Sequence, residues 1–546
     1  MGREAPVYGD EIYEIEVERL GNNAEGVGRI DGFTVFVPGA LPGERVRLKI
    51  GVVKKRYAIG AVVKRLTDSP DRVVPRCPIY EMCGGCQLQH LSYSAQLAVK
   101  RRQVIDAIER IGGLKDILIH PVKGMENPWN YRNKMQFPVG LAGGNIAIGC
   151  YAGGSHVIID TEDCCIQRSG NNDLANAMRE AVKKFGIPVY HEDRHTGVLR
   201  HIMGRVGKNG EIMAVLVTAV PELRRSKEIV HFLRQKLPHL VSVQQNIQTY
   251  RNNVVLGRET RLLWGKPTIQ DSIGRLHFHI SPRSFFQVNT AQAEVLYRQA
   301  LDYAALTGRE TVLDVYCGTG TITSFLAQRA RRAIGIEIVA PAIRDAQKNA
   351  RDNHVKNAEF LVGDATDVMP RLYRDGIRPD VVVVDPPRAG CTPPVLHSII
   401  AMHPRRIVYV SCNPASLGRD LAILDRLGYQ TIEAQPVDMF PMTSHVETVS
   451  LLVLRNHVAH VNIDVNVEEL VQDKRGQATY GQIQEYVKEH TGLNVTHLNI
   501  VQIKRKCGII ERENYDLPKS DDSRQPNCTK EKEEAIMEAF KHFGLS

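Results

Sequence analysis

Long apolar runs, an export leader and an even set of cysteines are all missing from this chain. No segment approaches the roughly 20 consecutive apolar residues that span a bilayer. The opening stretch, MGREAPVYGDEIYEIEVERL, carries acids from the start and has no apolar core of the kind that directs export. The eleven cysteines are odd in number and unevenly spread over 546 residues, unlike the dense pairing of a disulfide scaffold. These absences exclude membrane-embedded and disulfide-stapled classes. The expectation is a soluble, cytoplasmic monomer with no membrane partner, whose reduced thiols are free for metal or catalytic work. What is present suffices for three or four domains, since the chain exceeds one ordinary domain and 43% of it is apolar. Lysine and arginine outnumber the acids by 70 to 61, and the net charge of +9 suits a polyanionic partner without requiring one.

Residues 11–66 alternate apolar and polar positions in short segments broken by glycines and a Pro-Gly turn. That pattern predicts a small five-stranded barrel of the OB type. Lys54, Lys55 and Arg56 beside Tyr57 suit an RNA backbone and a stacked base, and suit equally a solvated edge that resists aggregation. The portion EGVGRIDGFTVFVPGALPGERV resembles a TRAM domain, an RNA-binding barrel carried by RNA-modifying enzymes, and that resemblance tips the balance toward RNA.

Next, RCPIYEMCGGCQLQH spaces Cys77, Cys83 and Cys86 as C-x5-C-x2-C, with Gly84 and Gly85 allowing a tight turn around whatever the thiolates hold. Three clustered thiols need a fourth ligand, and Cys164 and Cys165 in DTEDCCIQ are the downstream candidates. Tetrathiolate sites hold zinc or an iron–sulfur cluster, and spacing alone does not separate them. The C-x3-C-x2-C loop of radical enzymes is absent, which argues against radical chemistry. QLAVKRRQVIDAIERIGGL then reads as an amphipathic helix closed by Gly112 and Gly113. Residues 120–275 are rich in short strands. Here NPWNYRNKMQFPVG interleaves Trp129 and Tyr131 with Arg132, Asn133 and Lys134, and Arg194, Arg200 and Arg205 follow. Such runs suit unpaired RNA bases, although a strand with one wet face explains each of them singly.

From residue 311, TVLDVYCGTGTITSFLA runs a hydrophobic strand through a glycine turn into a helix, and Glu337 ends the next strand 23 residues after Asp314. Further strands end near Asp364 and at Asp385 in DVVVVDPPRAG. Four apolar strands, each closing on a polar residue at a regular interval, predict a doubly wound ligand site. The phosphate-cradling G-x-G-x-x-G is missing, which favours a methyl donor without a pyrophosphate over a dinucleotide. Arg388 stands where amino-methylating enzymes place an aromatic, so the expected acceptor is carbon. YVSCNP places Cys412 just past the carboxyl end of a buried strand, where ligands bind in α/β sheets, and makes it a candidate nucleophile.

FFQVN, DVYCGTGT, DPPRAG, YVSCNP and HVETV occur in this order, and in these motifs the chain resembles the RNA uracil-5-methyltransferases from the barrel to about residue 455. The resemblance implies an α/β fold: a Rossmann-like class I methyltransferase domain with an N-terminal OB-type TRAM barrel, a mixed β-rich central domain and a small α+β C-terminal extension. The expected boundaries are residues 1–66 for the barrel, 67–89 plus 120–275 for the cysteine-bearing, RNA-binding domain, 90–119 plus 276–455 for the methyltransferase, and 456–546 for an extension of unspecified role. It implies Cys412 as nucleophile at uracil carbon 6 and Glu447 as the base that removes the carbon 5 proton, with Arg388 or Arg419 helping to ionise the thiol. It implies Gln287, Tyr316, Thr321, Glu337, Asp364 and Asp385 as the S-adenosyl-L-methionine site. Family members with a [4Fe-4S] cluster share the cysteine pattern, which implies Cys77, Cys83, Cys86 and, from its C-x-x-Q context, Cys164 over Cys165. Cluster-bearing members favour 23S rRNA over tRNA. The alternatives are a tRNA enzyme, a catalytically idle RNA-binding or assembly factor, and, more remotely, a DNA cytosine methyltransferase, whose thiol follows a proline whereas Cys412 precedes Asn413-Pro414. Cys317 and Cys391 read as packing residues.

Overall fold

The computed structural model describes residues 5–455, 480–491 and 530–542, together with Leu493, Val495, Asn499, Ile500 and Ile503. The chain divides into two compact units, Met1–Arg455 and Asn456–Ser546.

The first unit opens with six strands, not five: β1 (Ile12–Glu16), β2 (Arg19–Leu20), β3 (Gly26–Ile30), β4 (Phe33–Val37), β5 (Arg45–Val53) and β6 (Tyr57–Thr67), in the order β1-β5-β6-β4-β3-β2. β1 and β2 lie at opposite edges of this sheet yet are separated by two residues, so the sheet must roll on itself. The Glu18 N–H donates to the Val27 carbonyl at 2.8 Å where its ends meet. Val35, Val37, Val46, Leu48 and Ile50 fill the inside.

Helix α1 (Tyr93–Asp106), capped by the Ser92 hydroxyl and followed by a π-helical turn at Ala107–Ile111, differs from the expected amphipathic helix. Its buried positions are Gln96, Lys100 and Val104, so two polar side chains occupy the face where apolar ones were expected. Their reason lies in the active-site loop described below. A short strand, β7 (Leu118–Ile119), follows. The cysteine-bearing region then builds a seven-stranded sheet from β8 (Lys134–Ala142), β9 (Asn145–Tyr151), β10 (Ile158–Asp160), β11 (Leu199–Val206), β12 (Ile212–Thr218), β13 (Leu240–Ile247) and β14 (Glu259–Gly265). Helices α2 (Ser169–Phe185) and α3 (Ser226–Lys236) cover one face, burying Leu174, Met178, Ile229 and Leu233.

After the hairpin of β15 (Ile269–Ile273) and β16 (Leu276–Ile280) and helix α4 (Thr290–Ala304), the chain enters a doubly wound sheet. Its strands are β17 (Thr311–Val315), β18 (Arg332–Glu337), β19 (Ala358–Val362), β20 (Val381–Val384), β21 (Arg406–Ser411), β22 (Tyr429–Val437) and β23 (Glu447–Leu454), with helices α5 (Thr321–Ala327), α6 (Ala340–Asp352), α7 (Ala365–Arg374), α8 (Pro393–Ala401) and α9 (Pro414–Arg426). The order is β19-β18-β17-β20-β21-β23-β22-β7, parallel from β19 to β21, with β23 inserted antiparallel between β21 and β22. The chain reverses direction of growth between β17 and β20, which opens a crevice at the carboxyl ends of these strands. Val381–Val384 are buried on both faces, as a strand sandwiched between helical layers must be.

In the second unit, helices at Tyr480–Thr491 and Lys530–His542 share a small core of Ile483, Val487, Ile536 and Phe540. The basic stretch NIVQIKRKCG of the extension lies largely outside the described residues, and Cys507 and Cys528 lie wholly outside them.

Candidate active site

At the crevice, β17 runs into the turn Tyr316–Gly320. Tyr316, Gly318 and Gly320 adopt φ of 69°, 56° and 74°. For tyrosine this left-handed conformation is strained, a cost that structures retain where a site requires it. A Cβ on Gly320 would lie 2.6 Å from the Phe360 ring, so only glycine lets the helix start this close to the sheet. A Cβ on Gly318 would meet nothing within 4 Å, so that side of the turn is open for a ligand. Glu337, at the end of β18, accepts from the Gly318 N–H at 3.2 Å and the Val339 N–H at 2.9 Å, which holds its carboxylate beside the turn. Asp364 caps α7 through the Thr366 N–H at 2.8 Å. Tyr297 bridges the Thr321 hydroxyl, at 3.1 Å, and the Gln287 side chain.

Two carboxyls here are shielded from water, Asp314 buried and Asp385 half-buried. Burial pushes Asp314 up to about 7 despite the Thr323 hydroxyl bonded to it at 2.5 Å, and its Oδ1 has no hydrogen-bond partner. Burial also pushes Asp385 up to about 7. An acidic, partly unsatisfied crevice of this kind fits a ligand that is cationic and carries hydroxyl donors, as S-adenosyl-L-methionine is and does.

Cys412 follows β21 and immediately precedes Asn413, whose Oδ1 caps α9 through the Ala415 N–H at 3.1 Å. Pro414 opens the helix without wasting an N–H. The Asn413 side chain also donates to the Arg388 carbonyl at 3.0 Å, tying the thiol's loop to the Asp-Pro-Pro-Arg loop. Burial pushes the Cys412 thiol up to about 11, with the charges of Glu447 and Asp385 adding to the rise and Arg388 opposing it. Glu447, the first residue of β23, is pushed up to about 8 by burial and by Asp385, again against Arg388. Thiol, carboxyl and guanidinium therefore share one electrostatic neighbourhood. Arg419 does not belong to it. Its guanidinium is bonded to Asp420 at 2.8 Å and to the Ala389 and Cys391 carbonyls, so it shapes the proline loop and is spent there. Cys317 and Cys391 are buried.

The cysteine region brings together more thiols than spacing suggested. After burial as the larger effect, Cys86 feels the charges of Cys164, Cys83 and Cys77, and Cys164 those of Cys83 and Cys77. Cys165 bonds Cys77. Cys150, in β9, was missed: its thiol contacts Cys83, and both sulfurs lie within 3.7 Å of the point a Gly85 Cβ would occupy. In NIAIGCY it reads as one more position of an alternating strand, and its only advance signal was its thiol. Among the described residues no three cysteine, histidine or acidic side chains already converge in metal-ligating geometry. The donor chemistry, six soft thiols in one locality, nevertheless fits a thiolate-bound cluster.

Several residues expected to face RNA are structural. Tyr131 and Asn133 are buried, and Tyr131 donates to the Pro441 carbonyl at 2.9 Å. Arg200 is buried against the Gln248 and Tyr250 carbonyls, and Arg205 against the Ser284 carbonyl. Arg200 and Arg205 lie in β11, which is buried along nearly its whole length, and Tyr131 and Asn133 lie just before β8; carbonyl acceptors satisfy the guanidiniums. Trp129 is half-buried with Arg76 stacked on it, while Lys54, Lys55, Arg56 and Arg194 remain exposed. Lys54–Arg56 form the turn between β5 and β6 rather than a strand.

Comparison with known proteins agrees with this geometry. Residues 268–455 match the model of the tRNA (uracil-5-)-methyltransferase family, and residues 6–63 match the TRAM domain. A chain from Halalkalibacterium halodurans named as an uncharacterized RNA methyltransferase is 49% identical over 455 residues, covering 83% of this chain and 99% of the relative. One of the same description from Clostridium tetani is 48% identical over 453 residues, covering 83% and 98%. Among solved structures, the Pyrococcus abyssi tRNA (uracil-54, C5)-methyltransferase in complex with S-adenosyl-L-homocysteine superposes with a TM-score of 0.65 at 28% identity, covering 81% of this chain and all of that one.

Proposed function

Because the chain belongs to the RNA uracil-5-methyltransferase family, we propose that it methylates carbon 5 of a uridine in 23S rRNA through a covalent adduct between Cys412 and uracil carbon 6. The observation that carries this reading is the grouping of a thiol, a buried carboxyl and a guanidinium at the carboxyl end of β21 and the amino end of the antiparallel β23, beside the acidic crevice. Gln287, Tyr316, Thr321, Glu337, Asp364 and Asp385 would hold S-adenosyl-L-methionine. When bound, it supplies an electrophilic methyl group on a sulfonium.

The chain's own residues do the rest. Carbon 5 of uracil is too weak a nucleophile alone, so the Cys412 thiolate adds to carbon 6, and the electrons of the 5,6 double bond move into an enolate that is nucleophilic at carbon 5. Arg388 favours the ionised thiolate and the ionised Glu447 carboxylate, partly offsetting what burial and Asp385 cost them. After carbon 5 is alkylated, the Glu447 carboxylate takes the carbon 5 proton, the 5,6 double bond re-forms, and the carbon–sulfur bond breaks to return the thiolate. A carboxyl raised toward neutrality is a stronger base than an exposed one, which suits this step. The base must leave its stack to reach Cys412, so the substrate is a loop or unpaired uridine.

Cys77, Cys83, Cys86 and Cys164 are proposed as ligands of a [4Fe-4S] cluster, and the preference for ribosomal RNA rests on that assignment. The tRNA specificity named for the Pyrococcus abyssi enzyme favours a second reading, a tRNA substrate.

The test mixes anaerobically purified protein and S-adenosyl-L-methionine with 5-fluorouridine-substituted 23S rRNA or tRNA. Fluorine cannot leave carbon 5 as a proton, so a working enzyme stalls on its RNA. A denaturant-resistant adduct with 23S rRNA that is lost in Cys412→Ala is the expected result. An adduct with tRNA alone overturns the substrate, and none with either overturns the reaction in favour of a catalytically idle RNA-binding factor.

A further inference from the structure

The Glu447 carboxylate accepts no hydrogen bond from any described protein group, so its direction depends on how the backbone delivers it. That backbone arrives through residues 438–446, which join β22 to β23. Helices α1 and α4 hold its first residues through Lys100, Asn289 and Gln292, and residues 84–96, which follow the Cys83–Cys86 turn, hold its second half. The Gln87 and Leu88 N–H groups both donate to the Met442 carbonyl at 3.0 Å, immediately after Cys86. The Met442 N–H donates to Gln96 Oε1 at 3.1 Å, and Gln96 Nε2 donates in turn to the Leu88 and Leu91 carbonyls at 2.9 Å. Gln87 reaches further, from the Gly84 carbonyl at 2.9 Å to the Ser444 N–H at 3.5 Å. Met442 itself holds a φ of 69°, a left-handed conformation that methionine adopts only under constraint, and its side chain is buried with Tyr131 and Ile166. Cys86 and Cys164 pack against the same three residues.

We propose that Met442 is a positioning residue that couples the cysteine loop to the base. Its carbonyl, N–H and side chain lock residues 84–96 onto the turn before Glu447, so the packing of the thiol region sets where the carboxylate points. This rests on the reading of Glu447 as the base that releases the methylated product. A misplaced base leaves thiol addition and methyl transfer intact and slows only the removal of the carbon 5 proton. That selectivity separates positioning from general loss of structure.

The experiment is a single-turnover quench with full-length protein, RNA tritiated at uridine carbon 5, and S-adenosyl-L-methionine labelled in its methyl group. It reads methyl incorporation, tritium release and denaturant-resistant adduct together. In Met442→Ala, methyl incorporation stays close to wild type, tritium release slows by about tenfold or more, and methylated adduct accumulates. Met442→Leu, which keeps the volume, restores release. Gln87→Ala, a change at a partly exposed side chain that leaves the core intact, shifts release in the same direction by less. Tritium release in step with methyl transfer in both Met442→Ala and Gln87→Ala overturns the proposal, as does equal slowing of both steps with no adduct in the two variants. Wild-type protein that transfers no methyl group overturns the enzymatic reading instead, and so separates the two failures.

Discussion

Cysteine appears in two settings in this molecule, and the contrast shows what a thiol is for. Cys412 stands without another cysteine at the end of a strand, where burial and two carboxyls raise it and one guanidinium, Arg388, opposes them. Around Cys83 the neighbours are other thiols, and once burial is set aside the charges that raise Cys86 are those of Cys164, Cys83 and Cys77. A single thiolate beside a cation can leave to attack a base and return. Several thiolates facing one another repel, and that repulsion is relieved by protonation or by a metal cation that displaces the protons. Position in the sheet suits the first to the nucleophilic role proposed above, and mutual proximity suits the second group to the proposed role of ligand set.

The comparison breaks most sharply if the two regions are exchanged by mutation. Cys412→Ala is expected to retain the full iron content of anaerobically purified protein while methyl transfer falls by roughly four orders of magnitude or more. Cys164→Ala is expected to lose most of its iron while Cys412 remains able to trap 5-fluorouridine RNA. Iron analysis beside the adduct assay checks both, and loss of iron in Cys412→Ala would dissolve the distinction. A smaller effect sharpens the catalytic side. Glu447 is raised to about 8, so the ionised, proton-accepting fraction grows as pH rises from 7 to 9 and levels off above that. Tritium release after methyl transfer should accelerate by about tenfold across this window in rapid-quench traces, and Glu447→Gln should abolish the rise. The smallest effect concerns the guanidinium. Arg388→Leu removes the one charge that lowers Cys412, so iodoacetamide alkylation of that thiol at pH 8 should slow by a few-fold, about half a logarithmic unit of thiolate.

Much of the catalytic sheet was legible because β17, β18 and β20 are near-continuous apolar runs that stop at Asp or Glu, and buried parallel strands leave little room for another pattern. The glycine turn was legible for the same local reason. What escaped depends on residues remote in sequence. Lys100 lies in the segment read as an amphipathic helix, yet it is fully buried and pairs with Asp438 at 2.5 Å, while Tyr93 reaches the same carboxylate at 2.8 Å. Burial lowers the basicity of the lysine, and the Asp438 carboxylate offsets only part of that fall. Tyr131 and Arg205 looked like RNA contacts because an isolated strand gives no sign of which face its fold will cover. Arg419 looked interchangeable with Arg388 until Asp420 and two carbonyls were seen to claim it.

The Lys100–Asp438 pair also bears on the order of synthesis. The two residues are separated by 338 positions, so on a ribosome adding about 5–20 residues per second the lysine emerges roughly 20 to 70 s before its partner exists. Helix α1 cannot seat its buried charge in that interval, and β7 has no β22 beside which to lie. The N-terminal half must therefore wait, with α1 undocked, until the last strands of the catalytic sheet have been made, and nascent chains stopped before residue 438 should remain open to protease at Tyr93–Ile119.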